Sequence, residues 1–424
     1  MVSWHRGLIT ALLASLALVA GGCAGASPGS HPGASTASAF PSRGTPHRNF
    51  GAPRRSLRGS FSWVSVNGVN GLAAVSADDI WAVGSAATGR PLIERWNGKA
   101  WKQVPSASPR DAKESLLNSV AATGSSSAWA VGYYNSGSAI RTLIERWNGR
   151  AWTLVASPSP GGSHGSFLYG VAATGSSGAW AVGDYGTGGN TTRTLIERWN
   201  GRAWTLVASP NPGGSHGSAL SAVAAAGTSG AWAVGYYYGP PQRPLVERWN
   251  GRAWAFVGSP NPGGRDGGAL DTVTTAGGSG AWAAGNVGTR TVDEALIEQW
   301  NGRSWTQVAS PRPAGSRGSN LTAIAADRAG GAWAVGYYFA DTNVEPAVFT
   351  LIERWNGRDW TQVTSPSPGG TADHLPDQSL LQAVCPVWSS QAWAAGSYSS
   401  GNPHGKILIE RWTGRTWTHL PAGH

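Results

Sequence analysis

Leu143-Ile144-Glu145-Arg146-Trp147-Asn148-Gly149-Arg150-Ala151-Trp152 is one copy of a motif that occurs seven times in the chain. Its first Trp recurs at Trp96, Trp147, Trp199, Trp249, Trp300, Trp355 and Trp412, at intervals of 51, 52, 50, 51, 55 and 57 residues. A Trp-Ala-Val-Gly or Trp-Ala-Ala-Gly segment precedes each copy, with its Trp at Trp81, Trp129, Trp180, Trp232, Trp282, Trp333 and Trp393. A third Trp closes each unit, at Trp101, Trp152, Trp204, Trp254, Trp305, Trp360 and Trp417. These three positions account for 21 of the 24 Trp, leaving only Trp4, Trp63 and Trp388 outside the pattern. A period near fifty residues points to propeller blades.

Each unit reads as four strands. In the third, Phe167 to Thr174 is a short apolar run, and Gly178 to Tyr185, Arg193 to Trp199 and Ala203 to Ala208 alternate with period two. Such alternation, rich in aromatic and β-branched residues, is a strand signal. Asn200-Gly201 between the last two strands predicts a tight hairpin, because both residues tolerate positive φ. A four-stranded sheet cannot bury both faces alone, whereas sheets packed around an axis bury one another. The expectation is an all-β, seven-bladed β-propeller with four antiparallel strands per blade. The blades fall at about 69–105, 116–156, 167–208, 219–258, 269–309, 320–364 and 379–421 within a propeller domain of residues 61–424. Ser62-Trp63-Val64-Ser65-Val66 resembles an extra fourth strand, which either pairs beside the last blade or leads into the first.

The units are similar to kelch-type repeats. There, a Gly-ending second strand is followed by an aromatic on the third strand and a Trp on the fourth. Ala181-Val182-Gly183, Trp199 and Trp204 hold those places here, with the kelch Gly pair reduced to one. The Gly302 to Trp305 and Gly414 to Trp417 segments also resemble the tail of a sialidase Asp-box, with Trp300 and Trp412 standing where the Asp belongs. Both resemblances imply a propeller and no particular activity.

The N-terminus carries an address. Met1 to Arg6 is short and basic, and Leu8 to Ala20 is an apolar run of thirteen residues, the size of a signal-peptide core. Val19-Ala20-Gly21-Gly22-Cys23 resembles a bacterial lipobox. The resemblance implies a lipoprotein signal peptide at 1–22 and acylation, palmitate included, at Cys23. The chain is then exported and held on the outer face of the cell membrane; an ordinary secretory signal is the alternative. Residues 23–60 form a Gly/Ser/Pro/Arg-rich tether expected to be disordered. The formal charge of +10 is concentrated there: six basic and no acidic residues precede Phe61, leaving 26 basic against 22 acidic residues beyond it. A basic tether with an export signal argues against nucleic acid as partner. The two cysteines, Cys23 and Cys385, exclude a disulfide framework. Cys385 reads as a buried small residue of the seventh unit.

Chemistry is hard to place. No P-loop, dinucleotide fingerprint, nucleophile elbow or metal motif stands out, so no catalytic residue, cofactor or metal is assigned. Glu94, Glu145, Glu197, Glu247, Glu298, Glu353 and Glu410 recur once per blade. That repetition suits a structural ring better than a single catalytic site.

Differences between units are more informative, and they gather in two sets of loops. The second-to-third-strand loops hold Tyr133, Tyr134, Tyr185, Tyr236, Tyr237, Tyr238, Tyr337, Tyr338 and Tyr398. The connections between units, marked by Ser-Pro-x-Pro-Gly-Gly, hold His164, His216, Arg265, Asp266 and His374. On a propeller both sets emerge on one face, where aromatic rings and a few charges suit a protein, peptide or glycan ligand. Tyr packed under loops and His solvated in turns are the plainer alternative. The expectation is a monomeric, non-catalytic binding or scaffold module at the bacterial cell surface. The competing expectation is a carbohydrate-active enzyme, glycosidase- or lyase-like, with its site at the channel mouth.

Overall fold

The computed structural model describes residues 67–420, apart from 176–177, 190, 228–229, 261, 264–265, 278–279, 290–291, 328, 342–345, 370–377, 389 and 400–404. The signal segment, Cys23, the tether and the extra strand at Trp63 lie outside the described residues. Twenty-eight strands follow one another in units of four, spanning 68–103, 114–154, 166–206, 218–256, 268–308, 316–362 and 378–420, here called units 1 to 7. Within each unit the strands are antiparallel and hydrogen bonded in chain order. Five sheets have four strands. Units 6 and 7 share one eight-stranded sheet through a single parallel bridge, Val348 to Gln378. The first strands of successive units pack on one another, and that of unit 7 packs on that of unit 1. The first strands therefore circle an axis, and the short fourth strands lie outermost, which is the arrangement of a β-propeller. Unit 1 and unit 7 are each built from consecutive strands, so the ring closes by packing.

Tryptophan makes each junction. Trp180 of unit 3 lies 4.9 Å from Trp249 and 5.1 Å from Trp254, both of unit 4, the latter edge-to-face at 82°. The same triad joins every neighbouring pair, and Trp393 with Trp96 and Trp101 joins unit 7 to unit 1. Valine, leucine and isoleucine of both sheets complete each cluster. The seven fourth-strand indole N–H groups have no hydrogen-bond acceptor among the described residues. The edge-to-face geometry gives them an aromatic neighbour instead. Over each sandwich but one lies a third-strand Arg, as Arg198 lies 5.1 Å above Trp180 and 5.6 Å above Trp249. Unit 5 has Gln299 at that place.

The hairpin after the third strand is one residue longer, and its fourth strand shorter, than the expected strands Arg193 to Trp199 and Ala203 to Ala208 imply. Trp199 pairs with Trp204, so the loop holds four residues, and the fourth strand runs only from Trp204 to Leu206. Gly201 takes φ +94°. Asn200 contributes its side chain: Oδ1 accepts the backbone N–H groups of Arg202 and Ala203.

The recurrent glutamates tie one unit to the connection leading into it. Ser157, which ends the connection side of unit 3, is hydrogen bonded to both Glu197 carboxyl oxygens at 2.9 and 3.1 Å. Ser209 and Ser259 meet both oxygens of Glu247 and Glu298 in the same way, while Ser106, Ser310 and Ser365 each meet one oxygen of Glu145, Glu353 and Glu410. All seven glutamates, Glu94 included, are fully buried. Burial raises Glu145, and it pushes Glu298 to about 7 and Glu197, Glu247, Glu353 and Glu410 to about 8; the serine hydroxyls oppose it only in part. Cys385 likewise is pushed by burial to about 11, with the backbone of Ala74 as its partner across the closure.

Two outcomes are expected. Replacing Trp180 by Ala removes one sandwich and lowers unfolding free energy by about 3–5 kcal/mol. Urea unfolding followed by tryptophan fluorescence measures this; a loss under ~1 kcal/mol would show that the sandwich does not hold the junction. The glutamates bind protons more tightly folded than unfolded, so their contribution is complete below the ordinary value of 4.5 and is lost as pH rises to about 8. The melting temperature should fall by roughly 10 °C between pH 5 and pH 8.5. Glu197→Gln, which cannot ionise, should make that fall shallower.

Candidate functional site at the ring axis

The recurrent glycine of Trp-Ala-Val-Gly sets up the axial surface. A Cβ on Gly183 would collide with the Phe167 carbonyl, and one on Gly235 with that of Ala219. The absent side chain lets the first strand press onto the second, and the pairing register slips by one residue there in every unit. The result is a β-bulge at the same height in every first strand; units 1, 2, 6 and 7 carry a second register shift elsewhere in that strand. The bulged residues are Asn70, Asn118, Tyr169, Ser221, Asp271, Thr322 and Gln382. Their flanking residues are alike from unit to unit, but these seven side chains range from amide to phenol to carboxylate.

A second variable position follows the glycine: Ser85, Tyr133, Asp184, Tyr236, Asn286, Tyr337 and Ser397. Each pairs with the residue two before the bulge, as Asp184 pairs with Phe167 and Ser85 with Gly68. Both variable sets therefore sit at the same axial end, where the connections between units emerge.

Units 2 to 6 supply a linked polar cluster there. Tyr169 donates its hydroxyl to Asp184, which is 1% exposed and whose Oδ1 has no partner among the described residues. Burial pushes Asp184 up to about 7 against that hydrogen bond. Tyr133 and Tyr236 stand close enough to Asp184 for its charge to raise them further above their ordinary range, after burial itself. Tyr236 is hydrogen bonded to Tyr238 and also feels Asp271. Asp271, partly exposed, is pushed to about 6 by burial, opposed by a hydrogen bond from Asn320 and reinforced by Asp293. Asn320 also reaches the Tyr337 hydroxyl at 3.5 Å. Carboxyls with values in the neutral range beside phenols can exchange protons or receive a cation.

The residues singled out from the sequence divide into groups. Tyr133, Tyr236 and Tyr337 are 5–9% exposed and lie inside this wall rather than on an open face. Tyr134, Tyr185, Tyr237, Tyr338 and Tyr398 pack against the junction clusters. Tyr238, at 38% exposure, is the one exposed tyrosine among the described residues. His164 and His216 end short 3-10 turns and are exposed, as is Asp266. Arg265 and His374 lie outside the described residues. Alternate residues of the Tyr-Tyr pairs point to opposite faces of a strand, which is why adjacent tyrosines part company. Sequence reading overlooked Asp184 and the whole bulge set. The available signal was a single variable position inside an otherwise repetitive first strand.

No family model matches the chain, and no curated protein sequence does. Among solved structures, the GH74 xyloglucanase from Xanthomonas campestris is similar at 15% identity and TM-score 0.53, over 84% of this chain and 54% of that one. The chain thus spans about half of that enzyme. YCF48 bound to D1 peptide aligns at 15% identity and TM-score 0.49 over 82% of this chain and 94% of that one. The Aleuria aurantia lectin, a fungal six-bladed β-propeller with a fucose recognition mode, aligns at 14% identity and TM-score 0.45 over 86% and 98%. At such identities the likeness is one of fold alone.

Proposed function

We propose that the chain is an exported, lipid-anchored, seven-bladed β-propeller that acts as a non-catalytic binding module at the cell surface. Cys23 carries the anchor, residues 23–60 hold the ring away from the membrane, and the axial end facing the unit connections receives a protein, peptide or glycan. The observation that carries this reading is the placement of variation. Junction positions repeat from unit to unit, while the bulge and the residue after the glycine differ and meet at one end of the axis. A scaffold of equal units with unequal residues at one end is suited to recognising one asymmetric ligand.

A second reading has its own support. Asp184 and Asp271, with values near 7 and 6, suit acid–base work on a carbohydrate.

Two measurements test the proposal. Metabolic labelling with palmitate should mark the wild-type chain, and Cys23→Ser should lose both the label and membrane retention. Unlabelled wild-type protein would remove the anchor. Screening the protein by thermal shift against peptide and glycan panels should give a saturable rise in melting temperature. That rise should shrink in Tyr169→Phe and Tyr238→Ala and persist in Tyr398→Ala. Release of reducing ends from a glycan would replace the binding reading by the enzymatic one.

A further inference from the structure

The ring of bulges is stitched at units 1, 2 and 6 and left open over three consecutive units, 3 to 5; Gln382 of unit 7 makes no such bond among the described residues either. Asn70 donates its side-chain amide to the Leu117 carbonyl of the next unit, Asn118 to that of Leu168, and Thr322 its hydroxyl to that of Leu381. These bonds stitch neighbouring first strands together around the axis. In units 3, 4 and 5 the equivalent residues do something else. Tyr169 turns its hydroxyl to Asp184 within its own sheet. Ser221 Oγ is buried with no partner among the described residues. Asp271 is an acceptor when ionised, and it takes its hydrogen bond from Asn320. Three side chains in a row have left the stitching role, all on one arc of the axial end.

The chemistry of that arc is one-sided. It holds two carboxyls at the axial wall, Asp184 and Asp271, with Asp293 behind the second. Among the described residues, the groups acting on them are a tyrosine hydroxyl, an asparagine amide and another carboxyl, not a lysine or arginine. Around them stand aromatic rings from units 2, 3 and 4. Tyr133 meets Phe167 edge-on at 5.0 Å, Phe167 stacks 6.2 Å from Tyr169, and Tyr236 meets Tyr238 at 5.3 Å. Tyr236 also packs on Ala219 and Ala269, bridging units 4 and 5. Carboxylates and π-faces attract the same kind of group, a positively charged one. An anion would be repelled by both, whereas a cation finds an acceptor in the partly exposed Asp271.

We infer that this arc of units 3 to 6 receives an organic cation, the amine or guanidinium of the ligand, seated at Asp271 beside the Tyr236 ring. Asp184 stands behind Tyr169 and orients its hydroxyl. The inference rests on the binding-module reading and names the chemistry of its ligand. A basic side chain of a peptide and the free amine of an amino sugar present the same group.

The test uses the full chain in detergent micelles. A trilysine peptide and a glucosamine trimer are titrated by calorimetry, each beside its fully N-acetylated form, which is neutral. One or both amines should bind, and acetylation should weaken binding by about tenfold or more. The preferred amine tells peptide from amino sugar. Asp271→Asn should weaken binding by a similar factor and Asp271→Glu should restore most of it. Asp111→Asn, which removes an exposed carboxylate from the same end of the ring, should change affinity less than about twofold. Melting curves confirm that each variant is folded. Equal binding of acetylated probes overturns the cation site but leaves a binding module, as does an equal effect of Asp111→Asn. Absence of binding by both amines overturns the inference, and turnover of either probe overturns the module reading with it.

Discussion

The tryptophan sandwich between neighbouring units is the interaction on which the rest depends. No single four-stranded unit has a second layer, so each owes its burial to the unit beside it. Trp180, Trp249 and Trp254 show how little else is needed: one ring from the second strand of one unit enters the angle between two rings of the next. Because the last such sandwich joins Trp393 to Trp96 and Trp101, the chain of contacts has no end. A ring closed this way loses stability at a junction whenever any one triad is altered, and none of the seven can drift in sequence without cost.

Glycine connects this scaffold to the surface at the axis. The residue that ends Trp-Ala-Val-Gly directly follows the buried Ala and Val of the junction, in the same strand that supplies the sandwich Trp. Its missing side chain admits the bulge, and the bulge takes one side chain out of the strand ladder and presents it around the axis. Packing and display are thus assigned to different residues of the same hairpin. The buried Glu–Ser ties work on the outer side of the sheets in the same spirit. They fix the connection between units without entering the axial end, where the connection emerges.

Much of this was legible in the sequence because packing repeats residue by residue. The Trp period, the strand alternation and the four-strand unit follow from side chains that serve the same contact in each unit. The bulge was not legible, since register is a property of two strands together and Tyr169 or Ser221 reads as one more strand residue. Asp184 was hidden by its company: the equivalent position is Tyr in units 2, 4 and 6, so attention went to aromatic loops. The partners of the glutamates were hidden by distance, as Ser157 and Glu197 are 40 residues apart. The expectation of an open tyrosine face failed at Tyr133, Tyr236 and Tyr337 for a simple reason. A residue next to the glycine still belongs to the second strand, and its side chain is enclosed by the first strands of its own and the next unit.

A ring of equal units meets a constraint when it must recognise something unequal. Any residue that differs between units has to differ where the junctions do not feel it. The bulge position satisfies this, because it lies outside the ladder and outside every tryptophan cluster. Its side chain is held only by what it reaches across the axis. Asn70, Asn118 and Thr322 reach the next strand and stabilise the ring, each by about 1 kcal/mol. Tyr169, Ser221 and Asp271 forgo that contribution, and Asp184 adds the cost of a buried carboxyl oxygen without a partner. Three of the losses adjoin, in units 3 to 5, while Gln382 of unit 7 makes no such bond among the described residues either. The acids and rings of units 3 to 5 stand beside one another at one end of the axis, and a symmetric scaffold needs such a local concentration of unlike residues to hold a single ligand site.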